Sequence, residues 1–160
     1  MSHTTTIKSV PIRSVTALQA AVRELQQAGV QCSLAQNQKP RMYYENQHGE
    51  CDYVLKLDKS RYDIGFQKQK DGTYEMVLDT WNNEIAQQVG TKAVNWAERY
   101  SSSESKEARE LRNNPQAHVG SLMQLYTKHA AIQTATSKGY MVTGCSVGQD
   151  MKVHLTIGVP

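Results

Sequence analysis

The chain has 160 residues, of which 18 are basic and 15 acidic, for a net charge of +3. That length fits one domain able to bury roughly two-thirds of its unfolded surface. The small charge excess, with no run of five like charges, excludes association driven by bulk charge alone and describes an ordinary solvated surface.

Three cysteines, Cys32, Cys51 and Cys145, are odd in number and widely spaced, and none lies in a CxxC pair. A structural zinc or a thioredoxin-type redox site therefore has no support. No apolar segment near the N-terminus has the length of a signal peptide or a membrane span, so the sequence predicts a cytoplasmic protein with reduced thiols and no membrane partner. Cys145, in an apolar strand, reads as a buried thiol.

In chain order, residues 4–13 alternate as a first strand, with Pro11 placing that end at an edge. From Ser14, a plausible N-cap, Val15, Leu18, Val22 and Leu25 recur at helical spacing until Ala28-Gly29. Residues 30–35 form a weak second strand, residues 36–40 read as a turn, and residues 42–44 pair back briefly. After a loop at 46–49, Tyr53, Leu55 and Leu57 mark another strand. It leads to the clearest signal in the chain, a hairpin of residues 62–66 and 73–81 joined by a two-residue Asp71-Gly72 turn.

Beyond Trp81 the period becomes helical, with Ile85, Val89, Ala93, Trp96 and Tyr100 on one stripe weakened by Gly90. Ser101 and Glu104 stand at capping-box spacing before a short charged helix, residues 105–112, which has little apolar area and is predicted to be an exposed, flexible excursion spanning 101–114. After Asn113-Asn114-Pro115 a long helix carries Val119, Leu122, Tyr126 and His129 or Ala130 to Lys138-Gly139. A second hairpin turning at Gly148-Gln149-Asp150 closes the chain. The sum is an α+β fold, a mostly antiparallel sheet with helices packed on one face.

Several islands resemble a known family: Met1-Ser2-His3 with Thr6-Ile7-Lys8, Tyr62-Asp63-Ile64-Gly65-Phe66, Asp71-Gly72-Thr73-Tyr74-Glu75, Trp81, and Tyr126 with Gly139-Tyr140. The chain is similar to small uncharacterised proteins that occur as a conserved hypothetical reading frame in cyanobacteria, algal plastids and bacteriophages. It departs from them at 31–50 and in the serines of 101–105. The resemblance implies a soluble, stand-alone α+β domain with no established activity.

Residues that could carry chemistry each have a plain structural competitor. The five histidines are scattered, and His118 and His129, eleven residues apart on one helix, stand about 16 Å apart, too far for one metal. Ser2-His3 fits an N-terminal copper arrangement only if Met1 is retained, so no metal and no cofactor is expected. Asp63, Glu75 and Asp79 lie on the central hairpin, with Glu75 and Asp79 on one face opposite Tyr74, Met76 and Leu78. Paired carboxylates perform acid–base work when burial raises one pKa, whereas a solvated outer face leaves them inert. Lys56, Lys68 and Lys70 with Tyr53, Tyr62 and Phe66 outline a single-strand nucleic-acid platform, although Tyr62 and Phe66 share the phase of the core-facing Ile64.

No Gly-rich phosphate loop follows a strand, which weighs against a nucleotide enzyme. The reading is a non-enzymatic binding or regulatory protein, with Lys56, Asp63, Glu75, Asp79 and Trp81 as candidate contacts to an unknown protein or small molecule. A sheet-based nucleic-acid binder and a small hydrolase using His or carboxylates are the rivals. Apolar residues on both faces of the last hairpin predict a homo-oligomer.

Overall fold

The computed structural model describes residues 4–45, 48–98, 103–147 and 152–158. Five strands form one antiparallel sheet: β1 (Thr4–Ile12), β2 (Cys32–Gln38), β3 (Cys51–Leu57), β4 (Ile64–Lys68) and β5 (Tyr74–Asp79), in the spatial order β1-β5-β4-β3-β2. Register is set by the alternation of apolar side chains. Phe66 opposes Tyr53 and Met76, Ile64 opposes Leu55, and all five lie on the face that builds the main core.

Helix α1 (Val15–Gln27) starts where Ser14 Oγ accepts from the Ala17 amide at 3.0 Å, and it buries Leu18, Val22 and Leu25 against that face. Its partner is α4 (Gly120–Ser137), preceded by a 3-10 turn, Pro115–Val119. Tyr126 of α4 accepts at its phenolic oxygen from the Arg13 and Ser14 amides, at 2.8 and 3.1 Å, fixing α4 over the exit from β1. An ion pair between Lys128 and Glu24 ties the two helices, and the Lys128 hydrogen bond holds the Glu24 carboxyl below its usual pKa. The α+β class, with an antiparallel sheet and helices on one face, is what the structure shows.

Several local expectations are corrected. The turn after β4 has no two-residue form: of its residues only Gly72 adopts positive φ (86°), and the Gln69 amide closes it by bonding Thr73 O at 2.7 Å, a longer loop with a glycine in the left-handed position. β2 runs on to Gln38 because β3 offers it partners as far as Cys51, its polar side chains being tolerated at an exposed edge. Residues 42–44 form no strand.

The apolar stripe from Ile85 to Trp96 is not one helix. Helix α2 (Glu84–Val89) stops at Gly90, which turns extended (ψ 167°), and the Thr91 amide then bonds Ala117 O at 2.8 Å. The chain folds back so that the Trp96 indole donates to Thr91 O at 2.9 Å. A second small core results, made of Ala86, Val94, Trp96, Ala108 and Ala117.

Helix α3 (Lys106–Arg112) is capped by Ser105 rather than by Ser101, which lies outside the described residues, as do His3 and the turn of the last hairpin. Most of its side chains are exposed, as its composition predicts, yet one side is docked through Ala108 and Arg112. The last hairpin, β6 (Met141–Val147) and β7 (Val153–Gly158), is a separate two-stranded sheet, and Cys145 on it is exposed, not buried. Among the described residues no helix is long and apolar enough to cross a membrane.

Candidate functional site

The face of the sheet turned away from the helices is not the solvated surface that alternation suggests. Val54 and Val77, out of phase with the core residues, are 0% and 2% exposed. The chain from 39 to 45 crosses this face as a strap. It leaves β2 at Pro40, whose ring packs at Gly65, where an added Cβ would lie 3.1 Å from Pro40 Cγ and 2.6 Å from Cys51 Sγ.

Asp63 anchors the strap. Its buried carboxylate accepts from the Arg41 amide (2.9 Å), Arg41 Nε (3.0 Å), Arg41 Nη2 (2.8 Å) and the Leu57 amide (3.3 Å), while the Asp63 amide donates to Arg41 O at 3.0 Å. Its hydrogen bond to the Arg41 guanidinium raises that group's pKa. With four donor contacts on its carboxylate, Asp63 serves as a structural ligand of the strap.

Asp79 makes the second anchor. One oxygen accepts from the Tyr43 amide at 3.2 Å and the other from the Trp81 amide at 2.9 Å, so one carboxylate joins the strap to the turn after β5. Asp79 is 0% exposed, which corrects the expectation of a solvated outer carboxylate.

Above it three rings meet edge to face. Tyr43 stands 4.9 Å from Tyr44 and 5.9 Å from Trp81, with Tyr43 and Tyr44 42% and 56% exposed. Asn82 and Asn83 follow in the left-handed conformation, φ 56° and 55°, which asparagine tolerates better than most residues. At the same end of the sheet the exposed Arg61 lies 5.7 Å over the Tyr62 ring and is held by Glu84 through its amide (2.9 Å) and guanidinium (2.6 Å). Burial pushes the Tyr62 hydroxyl up in pKa.

Of the residues singled out from sequence, Asp63, Asp79 and Trp81 come together at this end. Glu75, opposite Gln67, sits four residues earlier on β5, about 13 Å away. Lys56, opposite Ser33, is two strands from Asp79 and outside the ring cluster. The aromatics of the nucleic-acid platform are spent in the core: Tyr62 and Phe66 are buried, and the half-buried Tyr53 packs on Tyr74.

Cys51 Sγ lies 3.6 Å from His48 Nδ1, the spacing of a thiol–imidazole pair. Burial pushes that thiol up to about 11, the reverse of what a nucleophile needs. Among the described residues no group of three His, Cys, Asp or Glu side chains could hold a metal.

Sequence reasoning passed over Arg41, Tyr43, Tyr44, Arg61, Glu84 and the two asparagines. The legible signals were Pro40 before an arginine and three large side chains, and paired asparagines directly after Trp81.

Fold and site together define a small α+β protein with helices on one face of an antiparallel sheet and an aromatic strap on the other. Residues 21–108 match the family described as Protein of unknown function (DUF1257), and the chain belongs to that family. The matched segment contains the strap, both buried aspartates and Trp81. No curated protein and no solved structure matches the chain.

Proposed function

We propose that this is a non-enzymatic binding protein of the cytosol, and that it recognises a protein partner through Tyr43, Tyr44, Trp81 and Arg61. The observation that carries this reading is the ring cluster in which the exposed Tyr43 and Tyr44 stand beside the half-buried Trp81, with Tyr43 touching both, held from beneath by the Asp79 carboxylate. Tyr, Trp and Arg are the residue types that dominate protein interfaces: Tyr and Trp bury a large area with only two side-chain torsions to fix, and Arg offers a planar fork of five donors. Anchoring at Asp63 and Asp79 sets the geometry before binding, which lowers the ordering cost. The same anchoring supports a binding role over hydrolysis, since it occupies the carboxylates a hydrolase would need.

A photo-crosslinking residue in place of Tyr44, with one in place of the exposed Lys70 as control, tests the proposal in extract of the native host. Adducts to a single protein are expected from position 44 and not from 70. That protein, purified, should bind the unmodified chain and lose at least about tenfold in affinity to Tyr43→Ala/Tyr44→Ala, the loss of one interface anchor. Equal labelling from both positions, or salt-dependent binding of a single-stranded oligonucleotide that survives the double substitution, would refute it.

A further inference from the structure

The β6–β7 ribbon is built unlike the rest of the fold. None of the described residues of β6 or β7 whose exposure is resolved is fully buried, and the helix both strands pack against is α4. Two-stranded ribbons are marginal in water, and further strands or packing against a helix stabilise them; here α4 supplies the helix. Among the described residues each strand bonds the other and no third strand, so each leaves one edge of the ribbon without a neighbouring strand.

The two edges differ. β7 flanks two clefts shared with the body: one of about 580 Å³ is lined by Val153 with Ile7 and Met123, the other of about 810 Å³ by Ile157 with Arg13 and Tyr126. Neither cleft is lined by Met141, Val142, Thr143, Gly144, Cys145 or Ser146 of β6. β6 instead shows Met141 at 68% exposure, with Thr143, Cys145 and Ser146 also exposed. Its outer edge is paired by no strand among the described residues.

Its chemistry selects the partner. An open strand edge accepts another strand, and natural edges are guarded by lysine, other charges, proline or bulges; β6 has one irregularity, between Val142 and Gly144, and its pairing is regular from Gly144 to Val147. β6 reads Met-Val-Thr-Gly-Cys-Ser-Val and β7 Val-His-Leu-Thr-Ile-Gly, with no Asp, Glu, Lys, Arg or Pro in either. A two-fold axis across an antiparallel strand pair sets each side chain against the same strand's residues, an arrangement that any charge there would oppose and that this neutral sequence permits.

We infer that β6 is an assembly edge, pairing antiparallel with β6 of a second copy about a two-fold axis near Gly144 and Cys145. The product is a four-stranded sheet in the order β7-β6-β6-β7, with Met141 of each copy moved out of water. Cys32 and Cys51 are buried, so Cys145 is the single exposed thiol in each chain and reports directly on that axis.

Light scattering at tens of micromolar should give twice the 17.9 kDa chain mass. Met141→Lys/Ser146→Lys, both at exposed positions, should return it to one chain, while Tyr43→Ala/Tyr44→Ala should leave the dimer intact. A nitroxide on Cys145 should show strong dipolar coupling to its copy in the native dimer, a readout that needs no destabilising substitution. Mild oxidation should link the copies through Cys145 and fail in Cys145→Ser, whose mass stays doubled. A single-chain mass for the native protein overturns the inference, as does a dimer indifferent to the two lysines or one with uncoupled labels.

Discussion

Gly65 is the second residue of β4, where a side chain would ordinarily strengthen a strand. Its missing Cβ is what lets Pro40 and Cys51 close over the outer face, since a methyl there would come within 2.6 Å of Cys51 Sγ and 3.1 Å of Pro40 Cγ. Gly65→Ala should therefore destabilise by about 1–3 kcal/mol, the usual cost of overpacking. Denaturant unfolding checks it, and adding Cys51→Ala should restore part of the loss; full stability in the single variant would show that the strap yields freely. His118 makes a second residue-scale case. It is 7% exposed and lies 4.6 Å from the Trp96 ring, with no hydrogen-bond partner for Nδ1 among the described residues, and burial lowers its pKa to about 4. Below the unfolded value of about 6.5 the unfolded chain takes a proton that the folded chain refuses. The stability tied to this neutral ring is thus complete above pH ~6.5 and is lost as pH falls toward ~4, by about 3 kcal/mol in all. Unfolding free energies measured from pH 7.5 to 4.5 should fall, and His118→Phe should flatten that part of the slope. An unchanged slope would assign the pH dependence elsewhere.

At the scale of elements, α3 shows how one side chain compensates for a poor apolar face. The helix buries Ala108 and half-buries Leu111, too little to hold it. Arg112 supplies the remainder: Nε donates to both Glu104 oxygens at 2.6 and 2.8 Å, the other nitrogens donate to Glu98 O at 2.5 Å and Asn95 O at 2.6 Å, and the guanidinium lies 5.8 Å over Trp96. Glu104 and Arg112 side chains are 7% and 10% exposed, so removing one strands a buried charge. Arg112→Ala should cost about 3 kcal/mol. Faster amide exchange across α3 is expected, with Lys106→Ala, on the exposed side, leaving it unchanged. Equal protection in both variants would mean that the apolar contacts suffice. Serines and charges in this stretch read as an excursion because two of the partners of Arg112 are backbone carbonyls, which no side-chain pattern announces. At α2 an apolar stripe continues past Gly90 although the helix does not: Trp96 and Ile85 do face cores, but different ones.

For the whole molecule, local pattern determined a good deal. Alternation at 53–57, 62–66 and 74–79 placed three inner strands and the side of the sheet that the helices cover, because a one-residue slip would expose every apolar side chain. Ser14 and the spacing of Leu18, Val22 and Leu25 determined α1, since capping and the 3.6-residue period are written in adjacent residues. Of the candidate site, Asp63, Asp79 and Trp81 were legible as residues, and Glu75 with Asp79 as sharing a face. Tertiary structure alone decided what those residues do. Asp63 and Arg41 are 22 positions apart, Asp79 and Tyr43 36 apart, and whether a carboxylate is solvated, catalytic or a backbone ligand depends on which chain segment crosses above it. The same holds for Cys145 and for the separation of β6–β7 from the main sheet: a strand's own alternation states which faces differ, whereas burial and edge pairing belong to neighbours distant in the chain.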